Sequence, residues 1–130
     1  MNQTFCKDER LCRKILIKKL FAEGNKQFYH PFRYLSLKSE LPTAFPVQLL
    51  ISVPKSLYRH AVDRNRVKRL IREAYRKNKF ILYEPLMERH EQMLLCITYT
   101  SREILPQAEM TRKIIVLLQR LSDANAEVTQ

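Results

Sequence analysis

Four cations recur at helical spacing in the middle of the chain: Arg64, Lys68, Arg72 and Arg76 stand at i, i+4, i+8 and i+12. On a helix they form one slowly drifting stripe. Successive members would be about 6 Å apart along the axis, close to the phosphate separation along a nucleic-acid strand, and guanidinium forks suit bidentate phosphate contacts. Asn65, Arg66 and Arg69 flank the stripe, Asn65 offering a neutral donor and acceptor for a base edge or a 2′-hydroxyl, and Lys55 lies just upstream. The chemistry on offer is polyanion binding. A merely solvated charged face is the plain alternative, but Asp63 and Glu73 cannot neutralise the ten Lys and Arg of residues 55–79.

The rest of the composition agrees. Across 130 residues, 24 Lys plus Arg face 13 Asp plus Glu, a net charge of +11. Such an excess is the footprint of a protein that displaces counterions from phosphates. Catalytic and metal chemistry find no comparable support. Cys6, Cys12 and Cys96 form no CxxC pair and have no His at ligand spacing, and His30, His60 and His90 stand apart, although His60 sits beside the basic segment. No paired acidic motif for two Mg²⁺ ions and no convergent His/Lys set for a nuclease is found. Charges in the first fourteen residues interrupt any signal-peptide core, and no run approaches 18 apolar residues, so a cytoplasmic protein without membrane contact is expected.

The length suits one domain, taken as residues 1–122 with a frayed tail at 123–130. A helix is predicted from about Asp8 to Ala22, with Leu11, Ile15 and Leu16 inward and Gly24 as its stop. Phe32–Leu37 and Val47–Val53 read as strands, expected as antiparallel neighbours. Asp63 is the expected N-cap of the long basic helix, whose Val67, Leu70, Ile71, Ala74 and Tyr75 mark a buried face. Pro85 should kink or end that helix before a short helical piece. Met93–Thr100 reads as a buried strand, and Pro106 opens a last helix with Ala108, Ile114, Ile115, Leu118 and Leu121 inward. The sum is an α+β fold, a single domain with a small, mostly antiparallel sheet and helices packed on it.

The runs Ile51-Ser-Val-Pro-Lys55 and Ala61-Val62-Asp63-Arg64-Asn65-Arg66-Val67-Lys68-Arg69-Leu70-Ile71-Arg72-Glu73-Ala74-Tyr75-Arg76 carry a resemblance to the bacterial ribonuclease P protein family. The similarity extends over residues 8 to 121. It implies a two-layer sandwich shared with certain ribosomal proteins, and partnership with ribonuclease P RNA and precursor tRNA in removing the 5′ leader, with no protein partner evident. It implies too that the RNA holds the catalytic Mg²⁺, that no residue of this chain is catalytic or a metal ligand, and that Arg64, Asn65, Arg66, Lys68, Arg69 and Arg72 bind the catalytic RNA. Lys55 and Arg76 are grouped with them.

The resemblance further implies a cleft for the single-stranded leader between the sheet and the first helix. Phe21 retains one aromatic position of that helix, whereas Ile17 departs from the other; Phe32 and Tyr34 are the strand candidates, unless a register shift of one puts Leu35 in their place. Ile17 and Phe21 lie among Arg10 and Lys14, and an apolar pair set among cations suits unstacked bases. The bland reading makes the pair a second core face under a loop. A ribosomal or assembly RNA-binding protein is the alternative function; a DNA reader would be expected to show a helix-turn-helix pair or a zipper, and neither is present.

Overall fold

The computed structural model describes residues 5–128, with side chains through residue 123. A 3₁₀ turn at Lys7–Glu9 precedes α1 (Lys14–Glu23), β1 (Asn25–Tyr29), β2 (Phe32–Lys38), β3 (Val47–Ser52), α2 (Ala61–Asn78), α3 (Phe80–Glu88), β4 (Met93–Tyr99) and α4 (Gln107–Val128). The strands form one sheet in the order β1-β2-β4-β3. The expected α+β class holds.

The predicted antiparallel pairing of β2 with β3 does not. β4 lies between them, antiparallel to β2 and parallel to β3. Two features explain the order. Parallel strands need a long crossover, which α2 and α3 supply; and β4 is apolar and buried from Met93 to Ile97, as a strand covered on both faces must be. β1, whose residues are mostly exposed, gave too weak an apolar alternation to be expected at all.

Pleating divides the side chains between two cores. Phe32, Tyr34, Val47, Leu49, Leu95, Ile97 and Tyr99 share one core with Val67, Ile71, Ala74 and Tyr75 of α2, Leu82, Tyr83 and Leu86 of α3, and Ile114, Leu117, Leu118 and Leu121 of α4. Leu35, Leu94 and Cys96 point the other way, into a smaller core with Leu11 and Leu20. Three helices thus cover one face and α1 the other. In α4, Met110 and Leu117 are buried whereas Ala108 is exposed, so its inward stripe is rotated from the expected one.

Helix boundaries differ for identifiable reasons. The first helix starts at Lys14 rather than Asp8, because Lys7–Glu9 turns separately and the Leu11 N–H then donates to the Leu49 carbonyl (2.9 Å), laying the chain along the edge of β3. Leu11 is buried on that account, while Ile15 is 80% exposed. α2 starts one turn's fraction earlier than expected, with His60 as its boundary residue, so Asp63 falls in the first turn. There it faces the helix's positive end without capping it. The α2–α3 break comes at Lys79, and Pro85 sits inside α3.

Lys79 anchors that junction. Its Nζ donates to Glu9 (2.7 Å), both side chains being essentially fully buried. Tyr83 Oη also donates to Glu9 (2.6 Å), the Cys6 N–H donates to its other oxygen (3.0 Å), and Tyr75 Oη donates to Tyr83 Oη (3.1 Å). Burial pushes both tyrosine hydroxyls well above their ordinary range. The network pins the N-terminal segment to the α2–α3 junction.

Candidate nucleic-acid interface

α2 presents its basic side chains in three different states. Asn65, Arg66 and Arg69 are exposed, Lys68 and Arg72 half-buried. Arg64 is half-buried too, and its Nη1 donates to the carbonyls of Tyr58 (2.9 Å) and Arg59 (3.0 Å). It braces the loop that leads into α2, whose Tyr58 is itself anchored through its hydroxyl to the Ser101 carbonyl (2.8 Å). Arg76 is paired with Glu73 through two contacts, Nη2 to Oε1 at 2.6 Å and Nε to Oε2 at 3.1 Å, and Lys77 lies 3.4 Å from the same carboxylate. Hydrogen bonding from Arg76 holds the Glu73 carboxyl below its usual range.

The stripe is therefore not uniform. Its far end is locally neutralised and its first member is engaged with backbone, while Lys68 and Arg72 of the stripe and the flanking Arg66 and Arg69 form no ion pair among the described residues. Lys55 is exposed on the loop between β3 and α2. Arg72 loses some of its basicity, first through burial and then through the nearby charges of Arg10 and Arg69. Like charges held together in this way are relieved by an anion between them.

That proximity relocates Arg10. The sequence grouped it with the first helix, but it lies outside α1, bridged to Leu49 at the β3 edge, with its guanidinium 5.6 Å above the Phe5 ring. Phe5 in turn meets the Tyr75 ring of α2 edge-on at 5.8 Å, which sets Arg10 beside α2 rather than in α1. Lys14, the first residue of α1, lines a cavity of about 650 Å³ with Leu16, Leu41 and Pro42 beside the β2–β3 connection.

The aromatic candidates on β2 fail for a simple geometric reason. Phe32 and Tyr34 are 0% and 2% exposed and belong to the core under α2, α3 and α4, so they stand on the sheet face opposite α1. Alternate residues of a strand face opposite sides. Arg33 and Leu35 consequently face α1's side, as the shifted register would have it, with Leu35 buried in the small core. Ile17 is half-buried against that core, whereas Phe21 is 51% exposed.

One row of this face lies beyond the small core. Phe28, Arg33, Thr98 and Ser52 are aligned across all four strands; Phe28 is 58% exposed, Arg33 is exposed, and the other two are half-buried. Phe28 is the residue that sequence reasoning missed. Its signal was the run Phe28-Tyr29-His30-Pro31-Phe32, in which a proline turn separates two aromatic-containing strands.

The matching of whole sequences places this arrangement. The family model for Ribonuclease P matches residues 5–122. The chain belongs to the ribonuclease P protein family. The ribonuclease P protein component of Porphyromonas gingivalis is 41% identical over 99 residues, covering 75% of this chain and 72% of that one. That of Chlorobaculum tepidum is 36% identical over 107 residues, covering 76% and 70%. Among solved structures, the RNase P protein of Staphylococcus aureus superposes with a TM-score of 0.69 at 18% identity, covering 88% of this chain and 95% of that one. The Thermotoga maritima protein gives 0.67 at 24% identity, covering 86% and 96%; both likenesses concern the fold. As a ribonuclease P protein subunit, the chain is an RNA-binding component of a ribonucleoprotein endoribonuclease in tRNA processing, and the ribosomal or assembly-protein alternative is not favoured.

Proposed function

We propose that this ribonuclease P subunit divides two RNA surfaces between the two sides of its sheet. Arg66, Lys68, Arg69 and Arg72, joined by Arg10 and flanked by Asn65 and Lys55, take the backbone of ribonuclease P RNA. The row Phe28, Arg33, Thr98 and Ser52, with Ile17 and Phe21 of α1, takes the unpaired 5′ leader of precursor tRNA. The observation that carries the reading is that Arg66, Lys68, Arg69 and Arg72 form no ion pair among the described residues, beside the neutralised Arg76–Glu73 pair. Cations with no carboxylate partner keep their full gain on meeting phosphate.

Cleavage itself is assigned to the RNA subunit, with Mg²⁺ held there. Among the described residues no three His, Cys, Asp or Glu side chains converge as metal ligands. What this chain supplies is charge and position. Its cations offset phosphate repulsion that metal ions would otherwise screen, and the aromatic edge of the sheet offers stacking without base-specific hydrogen bonds. Among the described residues no helix is long and apolar enough to cross a membrane, which fits a cytoplasmic site of action.

The test mixes the protein with a bacterial ribonuclease P RNA and precursor tRNA at low Mg²⁺. Mature tRNA should form with both macromolecules present and not with the protein alone. RNA-free cleavage abolished by changing one of the protein's own carboxylates would overturn the assignment.

A further inference from the structure

An apolar cavity of about 600 Å³ lies between α3 and the segment Ala44–Pro46, with the buried Glu9 and Lys79 in its lining. Phe80, Tyr83, Glu84, Met87 and Glu88 line it at i, i+3, i+4, i+7 and i+8, one complete stripe of α3. Nine residues of helix span about 13 Å, enough to accompany three or four residues of extended chain. Met87 is 57% exposed within this stripe.

Its local charge is opposite in sign to the net charge of the chain. α3 contains no Lys or Arg, although the chain as a whole carries +11. Glu84 and Glu88 are exposed and form no ion pair among the described residues. The ammonium in the lining, that of Lys79, is bonded to Glu9 and lies 5.6 and 5.4 Å from the Phe80 and Tyr83 ring centroids. Two carboxylates at the rim repel phosphate, so RNA is the wrong occupant. An apolar trough beneath unpaired carboxylates is complementary to an apolar side chain flanked by cations.

We propose that this groove is a docking site for a second protein, which inserts an extended segment with one or two apolar side chains between Lys or Arg residues. Its apolar anchor fills the space between Phe45, Phe80 and Met87, and its cations meet Glu84 and Glu88. Docking there leaves Arg66, Lys68, Arg69 and Arg72 free, so partner and RNA bind together. The site stands independently of how the RNA surfaces are divided.

The experiment uses the full chain and two fluorescent tetrapeptides, acetyl-Arg-Leu-Phe-Arg-amide and its Glu-Leu-Phe-Glu counterpart, read by anisotropy. The cationic peptide should bind at least tenfold more tightly than the anionic one and weaken as salt rises. The Glu84→Lys/Glu88→Lys variant should lose at least tenfold of that affinity. Ala44→Trp, which fills the groove without altering its charge, should lose it as well. All of these variants should retain wild-type circular dichroism and wild-type cleavage of precursor tRNA with the RNA subunit. Equal affinity for both peptides, undiminished binding to either variant, or no binding at millimolar peptide would overturn the proposal. So would sedimentation showing that the groove residues mediate self-association, which would assign the surface to a second copy of this chain.

Discussion

Lys79 and Glu9 meet at 2.7 Å although 70 positions separate them in the chain. Taking two charges out of water is expensive, and removing one partner leaves the other buried and uncompensated. Glu9→Leu or Lys79→Met alone should therefore cost about 3–5 kcal/mol of unfolding free energy in urea, whereas the two combined should cost much less than their sum. Additive losses in that double-mutant cycle would show that the two side chains act separately.

The different states of the α2 cations predict unequal effects on RNA binding. Arg69→Ala and Arg66→Ala should each flatten the plot of log affinity against log salt by up to about one unit. Arg76→Ala should change it less, since Glu73 already occupies that guanidinium. Arg64→Ala should act partly through the loop it braces, lowering thermal stability together with affinity. If all four substitutions give the same slope, the partners seen for Arg64 and Arg76 do not persist in the complex.

Phe28 and Phe32 are four residues apart yet on opposite faces of the sheet, and they separate leader binding from folding. Phe28→Ala should weaken binding of precursor tRNA by the assembled enzyme while sparing mature tRNA, a loss on the order of the 1–3 kcal/mol of one stacked base. Phe32→Ala, at a fully buried site, should instead cost about 3–5 kcal/mol of stability. Equal losses for both tRNA forms with Phe28→Ala would remove that residue from the leader surface.

Alkaline titration reports on the buried tyrosines. Of six tyrosines, Tyr34, Tyr58, Tyr75, Tyr83 and Tyr99 are raised above their ordinary value, burial being the leading cause in each. A raised folded-state value means that their contribution is intact below the unfolded value, about pH 10, and is lost as pH rises toward the folded values. Tyrosinate absorbance should therefore lag behind that of the free amino acid and then rise together with loss of the circular dichroism signal. Complete ionisation while the signal is still native would contradict the buried arrangement.

Much of the fold was legible because periodicity reports burial. The α2 face of Val67, Ile71, Ala74 and Tyr75 and the apolar run of β4 both follow from solvent exclusion acting locally. Strand order was not legible, since pairing depends on where the crossover returns, and Val47–Ser52 carries no local mark of its partner. The candidate site divides in the same way. The positions of Arg66 and Arg69 could be read from helical spacing, but the Arg64 contacts with Tyr58 and Arg59 arise from a loop. Phe32 and Tyr34 were assigned to the wrong side because a strand's alternation gives two faces without saying which one α1 covers. Glu9 looked like one more surface carboxylate, and only the distant Lys79 and Tyr83 explain its burial.

The central place of β4 also governs the order in which the protein can be made. Among the described residues β3 pairs with one strand, Met93–Tyr99, which is also one of the two partners of β2. During synthesis the basic α2 leaves the ribosome before the strand that completes the sheet beneath it. A nascent chain halted before Met93 thus carries its RNA-binding cations without the platform that orients them, and should be cut freely by protease where one released past Tyr99 and α4 resists. The newborn subunit should stay a loose polycation until Met93–Tyr99 has emerged to complete the sheet.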